Sequence, residues 1–87
     1  MTETIDRKMN INQRVVDIVA DTVHRDPSEI TPDLELIADL NLDSLEMVEL
    51  ATDLEDVFGV SIPDDDIDKL KTVGHVQAYI AANIKIA

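Results

Sequence analysis

At 87 residues the chain fits one domain with a small core. Phe58 and Tyr79 are its only aromatics, and its net charge is −12 from 7 basic and 19 acidic residues. That balance offers no stacking surface and repels nucleic acid and anionic lipid, while the absence of Cys excludes disulfides, thiolate metal sites and a thiol nucleophile.

Residues 1–9 are polar and aperiodic, so they read as a flexible N-terminal extension. Met1 to Lys8 lacks a hydrophobic h-region, so no secretory signal is expected. From Ile11 the apolar spacing becomes helical through Val15, Ile18, Val19 and Val23, with Val16 off the stripe. This predicts a first helix from about Asn10 to His24, ended by Arg25-Asp26-Pro27. Pro27 to Asp43 is a long connection. Ile30, Leu34, Leu36, Ile37, Leu40 and Leu42 recur through it, so it is expected to pack on the core, with a short turn at Leu36–Leu40.

Asp43 suits an N-cap, and Glu46 three residues later completes a capping-box pair. The second helix is expected to run to about Phe58 and to stop at Gly59. After Val60-Ser61-Ile62-Pro63, Asp64 to Leu70 suits a short helix with acids in its first turn. Thr72 caps a last helix with the stripe Val73, Val76, Ile80 and Ile84. No segment reads as a strand, and no apolar run approaches membrane-spanning length. The fold class is therefore all-α: a small four-helix bundle of three longer helices and one short, with a long first loop.

On the second helix, Met47, Leu50, Ala51, Leu54, Val57 and Phe58 share one stripe, the core face. Leu45 and Val48 point to the other side, near Ser44. Around them lie Glu46, Glu49, Asp53, Glu55 and Asp56. From Asp43 to Asp68 there are ten acids and no Lys or Arg. An apolar patch ringed by carboxylates suits docking of a partner with a basic patch. A solvated acidic surface is the plainer reading.

Ser44 is a hydroxyl at a helix N-terminus. A catalytic serine needs a base and an oxyanion hole. The only imidazoles are His24, at the end of the first helix, and His75, a surface position in the first turn of the last helix, and no G-x-S-x-G turn is present. An enzyme is not expected. The helix N-terminus favours a phosphate, though Asp43 and Glu46 oppose one. Taken alone, the residues leave two readings of Ser44: a tolerated first-turn serine, or a group presented for modification. Asp64-Asp65-Asp66 and Asp68 lack the spacing, turn Gly and terminal Glu of an EF-hand loop, so no metal site is expected.

The run Ala38-Asp39-Leu40-Asn41-Leu42-Asp43-Ser44-Leu45-Glu46 resembles the modification site of acyl carrier proteins. The similarity continues at Val48-Glu49-Leu50, at Leu54-Glu55-Asp56-Val57-Phe58-Gly59 and at Ile62-Pro63-Asp64-Asp65-Asp66. It resumes at Lys71-Thr72-Val73-Gly74-His75-Val76. The resemblance covers residues 10 to 84, and 10–87 would be the carrier domain. It implies a helical bundle whose Ser44 hydroxyl receives 4′-phosphopantetheine from coenzyme A through a phosphopantetheinyl synthase. Acyl groups would ride on the arm's thiol as thioesters and pass between enzymes of fatty-acid or related lipid synthesis. The family's docking positions fall on Asp43, Leu45, Glu46, Val48, Glu49, Thr52, Glu55 and Asp56, facing basic patches on partner enzymes. Acyl-pocket walls would be Ile37, Met47, Leu50, Leu54, Ile67 and Leu70. Thr52 stands where a larger apolar residue is frequent. Asn41-Leu42 replaces a common Gly-Ala, and Asn tolerates the left-handed backbone such a turn needs. A monomeric, cytoplasmic carrier is the expectation. The alternatives are a specialised polyketide or aminoacyl carrier, and an unmodified acidic helical adaptor.

Overall fold

The computed structural model describes residues 3–84, with side chains described from Ile11 onward. Four helices follow in order: α1 (Glu3–Val23), α2 (Ser44–Phe58), α3 (Asp64–Ile67) and α4 (Val73–Asn83). A 3-10 turn occupies Pro27–Glu29. Among the described residues there is no strand, only an isolated bridge between Glu35 and Thr72.

The backbone of α1 starts at Glu3, ahead of the Asn10 that the apolar spacing predicts. Met1 and Thr2, the rest of the expected extension, lie outside the described residues, as do 85–87. Helix propagation adds one hydrogen bond per residue once a nucleus exists, so a polar segment without apolar spacing continues the helix it adjoins. At the other end, His24 lies outside the helix with φ 59°. Its N–H donates to the Asp21 carbonyl at 3.3 Å, and that of Arg25 donates to Ala20 at 2.9 Å. This is a Schellman closure. It stops the helix before Pro27 has any part in it. Asp26 then caps the 3-10 turn by accepting from the Ser28 N–H at 2.9 Å. These hydrogen bonds from Ser28 hold the Asp26 carboxyl below its usual range.

Helix α1 packs on both α2 and α4. Two packing partners widen its buried face, so Val16 is buried along with Val15, Val19 and Ala20, although it stands off the predicted stripe. On α2, Met47, Leu50, Ala51 and Leu54 are buried as expected. Val57 is a correction, being 43% exposed. It sits in the last turn of α2 and borders a shallow groove with Ile18 of α1, instead of pointing into the core. Phe58 is half-buried against the core. Fully burying Leu50 or Leu54 stabilises the fold by about 1.5–3 kcal/mol each before entropy.

The long loop is strapped to the start of α4. Leu36 N–H donates to Lys71, Val73 N–H to Leu34 and Gly74 N–H to Pro32, at 2.9, 3.0 and 2.8 Å. Gly74 makes this approach possible, because a Cβ there would meet the Pro32 carbonyl oxygen at 3.1 Å. Leu36–Leu40 forms the expected turn, closed by Leu40 N–H to the Glu35 carbonyl and sealed by the Asp39 carboxylate on the Glu35 N–H. Asn41 adopts the left-handed backbone with φ 60°, which its side chain tolerates. No helix among the described residues is long and apolar enough to cross a membrane.

Gly59 ends α2 at φ 66°, and its N–H donates to the Glu55 carbonyl. A Cβ there would meet nothing within 4 Å, so any cost of a side chain is purely conformational. Gly59→Ala should lose about 1–2 kcal/mol in urea unfolding, with Gly59→Asn losing less.

Candidate functional site

Two reciprocal hydrogen bonds define the start of α2. Asp43 Oδ1 accepts from the Glu46 N–H at 2.8 Å, and Glu46 Oε1 accepts from the Asp43 N–H at 3.1 Å. Ser44 is then the first helical residue, exposed, with capping already supplied by its neighbour. Among the described residues its hydroxyl has no hydrogen-bond partner, and the N–H groups of Ser44 and Leu45 have none either. An uncommitted hydroxyl beside free helix N–H donors fits a phosphate ester on its oxygen.

Ser44 also stands at the rim of a cavity of about 330 Å³. This lies at the small end of ligand pockets. Its walls include Ile37, Met47, Val48, Ile67 and Leu70, and Asp64, Asp68 and Lys71 complete the lining. Four of the six expected pocket residues therefore meet there: Ile37, Met47, Ile67 and Leu70. Leu50 and Leu54 do not. They are 1% and 0% exposed, deep in the core where the helices meet. Their shared stripe with Met47 hid the difference, because periodicity gives a face of a helix and not a depth. Ile37 is 60% exposed and bounds the cavity from the loop side.

The expected docking residues divide in the structure. Leu45 and Val48 are 68% and 47% exposed, a surface apolar pair beside Ser44. Val48 in addition borders the cavity. Glu49, Asp53 and Asp56 are exposed. Thr52 is exposed too, and its hydroxyl donates to the Val48 carbonyl at 3.0 Å. Glu55 is partly buried, and its Oε2 accepts from the Ile62 N–H at 2.7 Å, so this carboxylate anchors the segment leading to α3. His75 is surface-exposed; its Nδ1 accepts from the Lys71 N–H and its N–H donates to Thr72 Oγ1. Among the described residues neither imidazole hydrogen-bonds to Ser44. No group of three or more His, Asp or Glu among the described residues is arranged to hold a metal ion.

The sequence reading missed the polar part of the cavity rim, above all Lys71. Its one signal was that Lys69 and Lys71 are the only cations between Asp26 and Ile84. Lys69 is engaged with Asp66 at 3.7 Å.

Residues 13–80 match the family model described as the phosphopantetheine attachment site. The meromycolate extension acyl carrier protein of Mycobacterium tuberculosis is 48% identical over 66 residues, covering 76% of this chain and 57% of that protein. This chain therefore spans little more than half the length of that relative. An acyl carrier protein of Lactobacillus johnsonii is 44% identical over 73 residues, covering 84% of this chain and 91% of its own length. The solved structure of the Enterococcus faecalis acyl carrier protein superposes with a TM-score of 0.75 at 35% identity, covering 86% of this chain and 95% of that one. The chain belongs to the acyl carrier protein family, whose covalent cofactor is 4′-phosphopantetheine.

Helix α3 supplies Asp64 and Ile67 to the cavity and is only four residues long, so side-chain tethers matter to it. Tyr79 of α4 donates its hydroxyl proton to Asp66 Oδ2 at 2.6 Å. That hydrogen bond pushes the Tyr79 pKa up to about 12, with burial and the charges of Asp66 and Glu55 adding to the shift. An unfolded tyrosine ionises near pH 10. Between about pH 10 and 12 the folded state therefore holds the proton that the unfolded state releases, and stability falls as pH rises through that window. Tyr79→Phe should cost about 0.5–1.5 kcal/mol at neutral pH. Urea unfolding across the alkaline range should show a shallower loss for Tyr79→Phe than for the wild type.

Proposed function

We propose that Ser44 is the attachment point of 4′-phosphopantetheine and that the chain carries acyl groups as thioesters between enzymes of fatty-acid or related lipid synthesis. The reading rests on one observation: Asp43 performs the capping, so the Ser44 hydroxyl stays exposed and unbonded at the edge of an apolar cavity. The arm supplies the thiol that this Cys-free chain lacks. Loading forms an Oγ–P bond, breaks the pyrophosphate link of coenzyme A and releases its nucleotide half, with the hydroxyl proton passing to solvent or the synthase. The protein itself contributes position and shelter, and the chemistry on the cargo belongs to its partners.

The cavity walls Ile37, Met47, Ile67 and Leu70 suit the start of an aliphatic chain. Leu50 and Leu54 lie behind them. A longer chain reaches these two only by displacing the core, which aliphatic residues and Met allow more readily than aromatics. The docking face comprises Asp43, Leu45, Glu46, Val48, Glu49, Thr52 and Asp56, with Glu55 at its edge. Carboxylates steer basic partners, the synthase among them, and Leu45 with Val48 supplies apolar contact. A monomer working in the cytoplasm, with residues 10–87 as the carrier domain, is consistent with this use. The Mycobacterium relative named for meromycolate extension supports a lipid pathway over an aminoacyl one.

Incubation with coenzyme A, Mg²⁺ and a broad-specificity phosphopantetheinyl synthase should add the mass of one phosphopantetheine unit. Ser44→Ala should gain nothing while changing stability by no more than about 0.5 kcal/mol. An unmodified wild type, or equal gain on Ser44→Ala, sinks the reading. Glu49→Lys should load more slowly, with the deficit shrinking as salt rises.

A further inference from the structure

Lys71 is the one cation lining the cavity that Ser44 borders. Its backbone is held from both sides. The Lys71 carbonyl accepts from Leu36 N–H at 2.9 Å, and its N–H donates to His75 Nδ1 at 3.2 Å. Buried Leu70 and Val73 flank it, and the bridge between Glu35 and Thr72 lies alongside. The root of the side chain is therefore fixed relative to the cavity, while the side chain itself is exposed. Among the described residues its ammonium has no ion pair, although Asp64 and Asp68 share the lining. Lys71 thus places an unpaired cation at the rim of the cavity, in a chain of net charge −12.

We propose that Lys71 is the positioning residue for the arm: its ammonium pairs with the phosphodiester on Ser44 and draws the arm across the cavity mouth. This rests on Ser44 being the attachment point. A phosphodiester at Ser44 is a fixed negative charge next to Asp43 and Glu46, with Asp64 and Asp68 across the cavity, and all four carboxylates oppose it. Two free N–H groups of the helix offset part of that repulsion. Lys71 offers the only full positive charge in the cavity lining to offset the rest. Because it stands on the α3–α4 side of the cavity and Ser44 on the α2 side, pairing them favours an arm lying over the opening. Its thiol is then partly shielded from solvent.

The test uses wild type, Lys71→Gln and Lys71→Arg, each loaded with phosphopantetheine and checked by intact mass. The first readout is the ³¹P resonance of the diester. In the wild type at low salt it should differ from its position in urea-unfolded holo protein, and 1 M NaCl should move it toward that position. Lys71→Gln should start nearer the unfolded value and respond less to salt, and Lys71→Arg should behave as wild type. The second readout is the reaction of the arm's thiol with uncharged 4,4′-dithiodipyridine. Lys71→Gln should react roughly 1.5- to 5-fold faster at low salt, the range expected of an exposed ion pair, and the difference should vanish in 1 M NaCl. Identical ³¹P positions and thiol rates in wild type and Lys71→Gln overturn the role of Lys71 while leaving Ser44 as the site. If Lys71→Gln loads poorly, the wild-type salt titration decides, because a resonance indifferent to salt overturns the pairing. Absence of mass gain on the wild type overturns the Ser44 reading itself.

Discussion

The reciprocal bonding of Asp43 and Glu46 sets where α2 begins, and most of the molecule follows from that choice. With the cap at Asp43, Met47, Leu50, Ala51 and Leu54 turn inward and Leu45 and Val48 turn outward. The same cap relieves Ser44 of any structural duty. A serine that served as N-cap would spend its oxygen on a backbone N–H. Here a neighbouring carboxylate does so, and the hydroxyl remains available.

A second constraint gives the cavity its shape. The connection between α1 and α2 is stitched to the start of α4 by backbone hydrogen bonds through Pro32, Leu34, Leu36 and Lys71. This brings Ile37 to one side of the opening. On the other side, α3 is too short to be stable alone and depends on Glu55 reaching the Ile62 N–H and Tyr79 reaching Asp66. The cavity thus lies between a well-anchored helix and a lightly tethered one. An aliphatic core with two aromatics, both near its margin, can repack more readily than one filled with rings.

Charge acts at two ranges. The exposed carboxylates of α2 form a negative field that extends beyond the surface and weakens with salt. Glu55 is the exception: it belongs to the same acidic helix, yet its carboxylate is consumed by a loop N–H. Near Ser44 the field is unfavourable to an anion, which makes the placement of Lys71 informative. A basic residue within an acidic domain has most effect where the local potential would otherwise oppose its ligand.

Local chemistry is what the sequence by itself determined. The caps at Asp43, Thr72 and Gly59, the left-handed Asn41, the turn at Leu36–Leu40 and the outward pair Leu45 and Val48 each depend on residues within a few positions of one another. Periodicity and cap chemistry capture such features. Tertiary structure decided the rest. Val16 is buried because two helices flank α1, and Val57 is exposed because the end of α2 borders a groove. Leu50 and Leu54 lie behind the cavity while Met47, on the same stripe, lines it. Lys71 and Ser44 line the same cavity although 26 residues lie between them in the chain. Depth and juxtaposition are set by which elements pack together, and no window of a few residues contains that information.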